Sequence, residues 1–227
     1  MTSDDYEART REVWKRAASF PASKEAYYPE HATVQEFDLH RGKRVLEYGC
    51  GGGSDTLSFL RRGCDVTYVD VVPTNVEVTA RRVDAMQDGS PGVSAEGCIL
   101  ERGDVLPFEN GSFDVVSAHG VLHHIKDPFP VLREMRSVLR PKGLLYVMLY
   151  TEGYFKELQP RIAQLQRDKH LSFEEAAGWC TDAEGVPWSM FYTEIQGRVL
   201  LEGAGFRVLQ APLWNKGCFR TFKAERP

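Results

Sequence analysis

The sequence predicts an α/β fold, namely a three-layer α/β/α sandwich with a mostly parallel seven-stranded sheet, an antiparallel C-terminal hairpin and a helical lid. Two observations lead to this prediction. From Arg41 onward, short β-rich runs alternate with helical patterns, which is typical of parallel βαβ units. After the fifth run the alternation stops, and helical stripes and an aromatic-rich stretch follow. An irregular segment inserted after a regular sheet is expected to cover the edge of that sheet.

The first four strands are predicted from runs of β-branched and apolar residues. They lie at 44–48, at 65–70, near 95–101 and at 112–118. A glycine-rich turn and a helix from about Ser54 to Arg62 follow the first strand, and Gly63 ends this helix.

A second amphipathic helix is expected before the fifth strand. Its apolar residues recur at helical spacing and predict a helix from about 128 to 139: Val131, Leu132, Met135, Val138 and Leu139. Pro141 and Gly143 break this pattern, and the fifth strand is predicted at 144–150.

The region from about 151 to 192 interrupts the βα alternation. Leu158, Ile162 and Leu165 form a helical stripe, and Ser172 followed by Glu175 predicts a second helix start. We expect this insertion to form the lid over the carboxyl edge of the sheet.

The C-terminal part is predicted to hold one more helix and the hairpin. A capping box at Thr193 and Gln196 opens the helix, which Gly205 closes. The runs at 206–210 and 219–222 predict the antiparallel hairpin. The domain prediction is therefore an N-terminal helical cap at 1–40, with a helix around 6–18, and a domain at 41–227 that contains the lid.

Composition excludes several classes of function. The 227 residues include 28 Lys and Arg against 32 Asp and Glu, a net charge of -4, without a basic block that would follow a phosphate backbone. We therefore expect no nucleic-acid partner and, since no apolar run is long enough to cross a bilayer, no membrane partner and a cytoplasmic location. The five cysteines are scattered without a CxxC pair, so neither disulfides nor a metal site is predicted. Monomer and homodimer both remain open.

A glycine-rich turn and an acidic residue predict a nucleoside site. Gly49, Gly51 and Gly53 lie between the first strand and the first helix, where glycine permits positive φ and close approach to a ligand. Asp70 ends the second strand about 20 residues later, where a carboxylate accepts the hydroxyl hydrogens of a ribose. The dinucleotide fingerprint G-x-G-x-x-G fails, because Ser54 or Thr56 stands where its third glycine belongs.

The chain instead resembles the class I methyltransferases that use S-adenosylmethionine (SAM), which have a Rossmann-like fold. Glu47 with the three glycines resembles the first motif of that family. The later motifs also follow in order over about residues 41 to 150: Gly-Asp-Val-Leu-Pro at 103–107, Phe-Glu-Asn-Gly-Ser-Phe-Asp-Val-Val at 108–116, Val-Leu-His-His-Ile at 121–125 and Leu-Arg-Pro-Lys-Gly at 139–143.

The resemblance implies a role for each cofactor residue. The glycine loop, which includes Cys50, passes under the amino-acid part of SAM while Glu47 orders its ammonium end. Asp70 holds the ribose, and Asp104 accepts from the adenine amino group. The remaining implied contacts are the backbone N–H of Val105 to the adenine, Val71 and Leu106 on its faces, and His119 and Gly120 beside the methionine part.

Catalysis and acceptor binding are less specified by the sequence. The methyl group of SAM is already activated, so alignment and exclusion of water suffice unless the acceptor is a phenol or alcohol, which needs a base. The candidate bases are His119, His124 and Tyr150, although His123 and His124 also fit a structural wall between cofactor and helix. Aromatic side chains from the cap and the lid are expected to bind the acceptor: Tyr27, Tyr28, Tyr150, Trp188 and Tyr192.

The predicted function is methyl transfer from SAM to O, N or C of a small molecule by in-line displacement, with S-adenosylhomocysteine (SAH) as product. Three alternatives stay open. They are a methyltransferase acting on RNA or protein, an NAD-dependent oxidoreductase and a non-catalytic binding protein with the same fold. The absence of a basic face disfavours the first, and the glycine spacing disfavours the second.

Overall fold

A mixed β-sheet forms the centre of the computed structural model, which describes residues 3–87, 92–181 and 185–227. Within these residues the strands are β1 Arg44–Tyr48, β2 Asp65–Asp70, β3 Ala95–Ile99, β4 Phe113–His119, β5 Leu139–Tyr150, β6 Arg207–Gln210, β7 Leu213–Trp214 and β8 Phe219–Glu225. The strand order is β3-β2-β1-β4-β5-β8-β6, and β7 pairs with β8 beside this path.

The pairing directions confirm the predicted sheet. Strand β1 is parallel to both β2 and β4, and the pairs β2–β3 and β4–β5 are parallel as well. Strand β8 runs antiparallel to β5, β6 and β7. The two strands of the predicted C-terminal hairpin, β6 and β8, are thus antiparallel neighbours. Strand β8 also pairs with β5 and so connects the hairpin to the parallel part of the sheet. The two-residue β7 is an addition that the sequence did not predict.

Helices cover both faces of the sheet. They are α1 Ser3–Trp14, α2 His31–Gln35, α3 Ser54–Arg61, α4 Pro73–Gln87, α5 Phe129–Val138, α6 Glu152–Lys169, α7 Phe173–Cys180 and α8 Glu194–Gly203. Because side chains alternate along a strand, Val45 faces one core with residues of α3 and α4, whereas Leu46 faces the other core with residues of α5 and α8. The three predicted layers are therefore confirmed.

Several strand ends differ from their predictions by one to three residues, and the largest difference is at the start of β5. Strand β5 begins at Leu139 rather than at 144, because Leu139 already pairs with Phe113. The register then shifts, and Lys142 adopts a left-handed φ of 64° before regular pairing resumes at Leu144. The breaker residues Pro141 and Gly143 thus form an irregularity inside the strand instead of preceding it.

The two helices predicted in the insertion are present. Thr151 caps α6, and Ser172 and Glu175 form the predicted capping box at the start of α7. Ile162 is buried against α7, which confirms the predicted stripe. Residues 182–184 of the insertion lie outside the described residues. No helix in the described part of the chain has both the length and the apolar character needed to span a membrane.

The N-terminal segment lies next to the carboxyl ends of the central strands. Helix α1 ends at Trp14 and continues as a 3-10 helix at Lys15–Ser19, close to the predicted span of 6–18. Arg11 donates from Nη1 to the carbonyl of Val71, just after β2, at 3.0 Å. The Tyr6 hydroxyl donates to the carbonyl of His124 at 2.9 Å. These contacts hold α1 across the edge of the sheet.

Candidate functional site

A cavity of about 1230 Å³ lies at the carboxyl ends of β1, β2 and β4. Ligands of open α/β sheets bind at this edge, at the point where the strand order reverses. In this sheet the order reverses between the neighbouring strands β1 and β4. The ends of the three strands contribute Tyr48, Gly49, Asp70, Val71, His119 and Gly120 to the lining. The predicted ribose acceptor and the predicted methionine neighbours therefore share one cavity.

The loop after β1 has a backbone that only glycine tolerates at two positions. Gly49 and Gly53 have φ values of +79° and +78°. A Cβ atom on Gly49 would lie 2.4 Å from Cγ2 of Val121, and one on Gly53 would lie 2.8 Å from Oγ1 of Thr79. The loop thus passes close to the β4 connection on one side and to α4 on the other, and Gly49 and Gly51 line the cavity.

Asp70 is fixed at the end of β2 by three donors. Its Oδ2 accepts from the backbone N–H of Gly51 at 3.0 Å and from Nδ2 of Asn75 at 3.1 Å, and its Oδ1 accepts from the N–H of Val72 at 2.9 Å. Burial raises the pKa of Asp70 above its usual value, and these donors act in the opposite direction. The bond to Gly51 links the predicted ribose acceptor directly to the glycine loop.

Asp104 lies at the more open end of the cavity. Arg102 donates to both of its carboxylate oxygens, at 3.0 and 2.8 Å, and this contact lowers the pKa of Asp104. The side chain of Val105 is exposed, and its N–H points to the carbonyl of Arg102 at 3.4 Å, a long bond that a better acceptor can replace. Leu106 packs in the core instead of lining the cavity.

Glu47 lies in β1, just before the glycine loop, and Cys50 lies within the loop. Glu47 is buried outside the cavity lining and accepts a hydrogen bond from the hydroxyl of Thr56. Burial raises its pKa well above the usual range, and the nearby charge of Asp55 adds to this. Cys50 lines the cavity, and burial followed by the charge of Asp70 raises its pKa, so the thiol stays protonated at neutral pH.

A buried polar cluster that sequence reasoning missed adjoins His119. Asp55 is fully buried, with its Oδ2 3.4 Å from Nε2 of His31 and 4.0 Å from Nδ1 of His119. Burial alone would raise the pKa of Asp55, but Lys24, whose Nζ lies 3.2 Å away, and His31 hold it well below the usual range. In the sequence, Asp55 has only the pattern of an acidic residue in the first turn of a helix.

His119 and His124 both line the cavity, but their rings are buried. Burial lowers the pKa of His119 well below 6.5, with His31 and Lys24 acting in the same direction. Burial also lowers the pKa of His124 to about 4. Nδ1 of His124 contacts the carbonyl of Trp188 at 3.1 Å and the hydroxyl of Ser189 at 3.0 Å. These contacts tie the ring of His124 to the segment that follows α7.

The predicted acceptor residues separate into two groups. Tyr27, Tyr28 and Tyr150 line the cavity, and Tyr28 lies with its ring edge-on to Trp214 and Phe219. Trp188 and Tyr192 lie outside the lining: Trp188 sits behind His124, and Tyr192 donates from its backbone to Tyr150 at 2.8 Å. Among the described residues, the N-terminal segment supplies the cover of this cavity, whereas the lid role of the insertion stays a prediction.

Several lining residues of the N-terminal segment had no pattern that marked them in the sequence. Ala17 and Phe20 line the cavity beside the glycine loop, where they lie next to Gly51 and Gly52. The guanidinium of Arg82 on α4 joins the two parts, because it donates to the carbonyl of Phe20 at 3.0 Å and to the carbonyl of Gly52. Such contacts depend on the docking of distant segments and are not encoded in local spacing.

Comparison with known proteins finds a domain family that matches the central part of this chain. Residues 46–147 match the family model described as a methyltransferase domain. A ubiquinone biosynthesis O-methyltransferase of Xanthomonas euvesicatoria pv. vesicatoria is 35% identical over 106 residues, covering 47% of this chain and 42% of that protein. The protein of the same name from Xanthomonas campestris pv. campestris is 33% identical over 155 residues, covering 63% of this chain and 62% of that protein. The chain thus spans less than two thirds of these relatives.

Solved structures show the same fold. A SAM-dependent methyltransferase from Methanosarcina mazei superposes with a TM-score of 0.68 at 20% sequence identity, covering 86% of this chain and 97% of that one. At this identity the likeness establishes the architecture alone. It confirms the Rossmann-like sheet with its antiparallel C-terminal strands.

Proposed function

Because this chain carries a methyltransferase domain of the class I, SAM-dependent type, we propose that it transfers the methyl group of SAM to a small-molecule acceptor. The curated relatives named above are O-methyltransferases, which favours oxygen over nitrogen and carbon as the accepting atom. When bound, SAM supplies a methyl group that its sulfonium has already activated. The protein then has to hold and align the reactants and keep water out.

The observation that carries this proposal is the pairing of Asp70 with the glycine loop inside one cavity. Asp70 is held at the cavity wall by the N–H of Gly51, and Gly49 and Gly51 present their backbone to the same space. A carboxylate accepts both hydroxyl hydrogens of a ribose, and a backbone without Cβ atoms admits a ligand at close range. The residues present therefore fit SAM.

The remaining cofactor contacts follow from the same placement. Asp104 lies on the cavity wall beyond Asp70, where its carboxylate is able to accept from an amino group. Val71 lies between these two carboxylates and offers an aliphatic surface for a flat base. His119 and Gly120, at the end of β4, line the same cavity and would flank the methionine part of SAM.

The size and cover of the cavity support a small acceptor. Pockets for one small ligand have volumes of roughly 300–1,000 Å³, so about 1230 Å³ leaves space for an acceptor beside the cofactor. Tyr28, Met148, Tyr150 and Phe219 give this space an aromatic and apolar wall. Helix α1 lies across the cavity and shields it from water, which suits a small molecule better than a segment of RNA or protein.

The first experiment measures ligand binding with a charge-removing variant. We expect SAM and SAH each to raise the unfolding temperature, whereas NAD leaves it unchanged. Asp70→Ala removes an ionised acceptor for two hydroxyl groups, each worth about 1.5 kcal/mol or more, so affinity should fall by at least about a hundredfold. Asp65→Ala, at the other end of β2, is the matched control and should bind normally. A chain that binds NAD but not SAM, or an Asp70→Ala variant with unchanged affinity, would refute the proposal.

A further inference from the structure

Three metal-ligating side chains from separate elements meet beside the cavity. His31 begins α2, Asp55 lies in the first turn of α3, and His119 ends β4. Their donor atoms all lie within 4.8 Å of one another, and all three residues are buried. Neither the cofactor cradle nor the proposed methyl transfer uses His31 or Asp55.

The two histidines leave their ring nitrogens without hydrogen bonds. In the described part of the chain, Nδ1 and Nε2 of His31 and both nitrogens of His119 are buried and unpartnered. A buried polar group without a partner costs about 1–3 kcal/mol, and native proteins avoid it unless an ion or water completes the site. Two imidazoles beside one buried carboxylate, with their ring nitrogens left without hydrogen bonds, therefore indicate an occupant.

The donor set selects the kind of occupant. Two imidazoles and one carboxylate are a common ligand set for Zn²⁺ and related divalent ions. Ligands about 2.0–2.2 Å from a tetrahedral ion lie roughly 3.4 Å apart. The distance from Nε2 of His31 to Oδ2 of Asp55 is 3.4 Å, and Nδ1 of His119 lies 4.0 Å from the same oxygen. The cluster is therefore slightly wider than a loaded site, and binding an ion requires the His119 ring to move inward.

Lys24 and Gln35 define the rest of the shell. The ammonium of Lys24 contacts the other oxygen of Asp55, Oδ1, at 3.2 Å, and leaves Oδ2 to face the histidines. Its charge opposes a cation, but its side chain is 32% exposed, so the ammonium is able to turn towards the cavity. Nε2 of Gln35 donates to Oδ2 of Asp55 at 3.3 Å and to the hydroxyl of Ser117 at 3.1 Å. Its amide oxygen is buried without a hydrogen bond among the described residues, and it reaches a fourth coordination position once the amide turns over.

We propose that His31, Asp55 and His119 bind a divalent transition-metal ion of the Zn²⁺ class, with a water or Gln35 as fourth ligand. The ion joins the N-terminal segment, through His31, to the SAM-binding domain, through Asp55 and His119. Because His119 lines the cavity, the ion also fixes the wall at the end of β4. The site does not depend on the proposed methyl transfer, and metal binding is measured without an acceptor.

The test titrates Co²⁺ and Zn²⁺ into the full chain after treatment with a chelator. We expect one equivalent of Co²⁺ to bind with the visible absorption of a tetrahedral nitrogen and oxygen site, and Zn²⁺ to displace it. Asp55→Asn and His31→Gln should weaken this binding by more than the roughly 10–100-fold that loss of an outer-shell partner costs. His40→Gln, an equally buried histidine outside the cluster, is the control and should bind normally. SAH binding reports independently whether the cofactor site is intact.

A second variant keeps the test decisive if Asp55→Asn fails to fold. Lys24→Met keeps an unbranched side chain of similar length but removes the competing charge, so it should lower the dissociation constant for Zn²⁺. Unchanged or weaker binding in Lys24→Met would overturn the proposal. So would the absence of saturable binding in the wild type, or an absorption band of a thiolate ligand, which would place the ion at a cysteine. Equal losses in His40→Gln and His31→Gln would overturn it as well.

Discussion

The glycine loop offers a quantitative test, through the substitution Gly49→Ala. The residue has a φ of +79°, and the added methyl group would lie 2.4 Å from Cγ2 and 3.3 Å from Cγ1 of Val121. Two separate costs arise: the left-handed backbone, which an alanine disfavours by roughly 1–2 kcal/mol, and overpacking, which costs typically 1–3 kcal/mol. We expect Gly49→Ala to lower the free energy of unfolding by about 2–5 kcal/mol.

A matched glycine separates the two costs. Gly42 has a nearly equal φ of +71°, but nothing lies within 4 Å of a Cβ placed there. Gly42→Ala should therefore show the backbone cost alone, about 1–2 kcal/mol. The double variant Gly49→Ala with Val121→Ala should recover part of the additional loss, because the contacting methyl groups are removed.

Urea denaturation and SAH titration of the same proteins measure both effects. Gly49 lines the cavity and Gly42 does not, so only Gly49→Ala should also weaken SAH binding. Equal destabilisation by Gly49→Ala and Gly42→Ala would show that the close contact with Val121 is absent. Unchanged SAH affinity in Gly49→Ala would show that the loop lies away from the cofactor.

Two further predictions concern the N-terminal cover and the buried histidines. Arg82→Met removes the donors to the carbonyls of Phe20 and Gly52 but keeps an aliphatic side chain. Losing a partly exposed hydrogen bond costs about 1 kcal/mol, so SAH should dissociate about fivefold faster in stopped-flow measurements. Unchanged dissociation kinetics would refute the link between Arg82 and the cover of the cavity. His124 has a pKa of about 4 in the folded chain against 6.5 unfolded, so only the unfolded chain takes up its proton as the pH falls through this interval. The contribution of His124 should therefore lower the free energy of unfolding by about 3 kcal/mol between pH 6.5 and 4, with no further decrease below pH 4. In urea denaturation, His124→Gln should show a smaller decrease of the free energy of unfolding over this pH range. A pH dependence equal to that of the wild type would contradict the prediction.

Much of the fold follows from local patterns in the sequence. Strands β1 and β2 have the predicted boundaries, because each is a continuous β-rich run between a breaker and a turn. The capping boxes at Ser172 and Thr193 are confirmed for the same reason, since a cap depends on residues only three positions apart. Strand β5 was placed too late, because Leu139 already pairs with β4 ahead of the irregularity around Pro141.

The candidate site was predictable only where its parts follow from the strand ends. The glycine loop and Asp70 were predicted together, and the bond from the N–H of Gly51 to Asp70 joins them. The sequence did not distinguish Tyr28, which faces the cavity, from Trp188, which lies behind His124. Their positions depend on how the cap and the insertion dock, and aromatic composition carries no information on docking.

The sequence by itself determined the alternation of strands and helices, and with it the edge of the sheet at which the nucleoside site is expected. That is a consequence of short-range chemistry, because a turn, a cap or a positive φ depends on neighbouring residues. Only the tertiary structure decided that α1 covers the cavity and that His31 and His119 meet at Asp55. These residues lie far apart in the chain, and packing of the helices against the sheet brings them together.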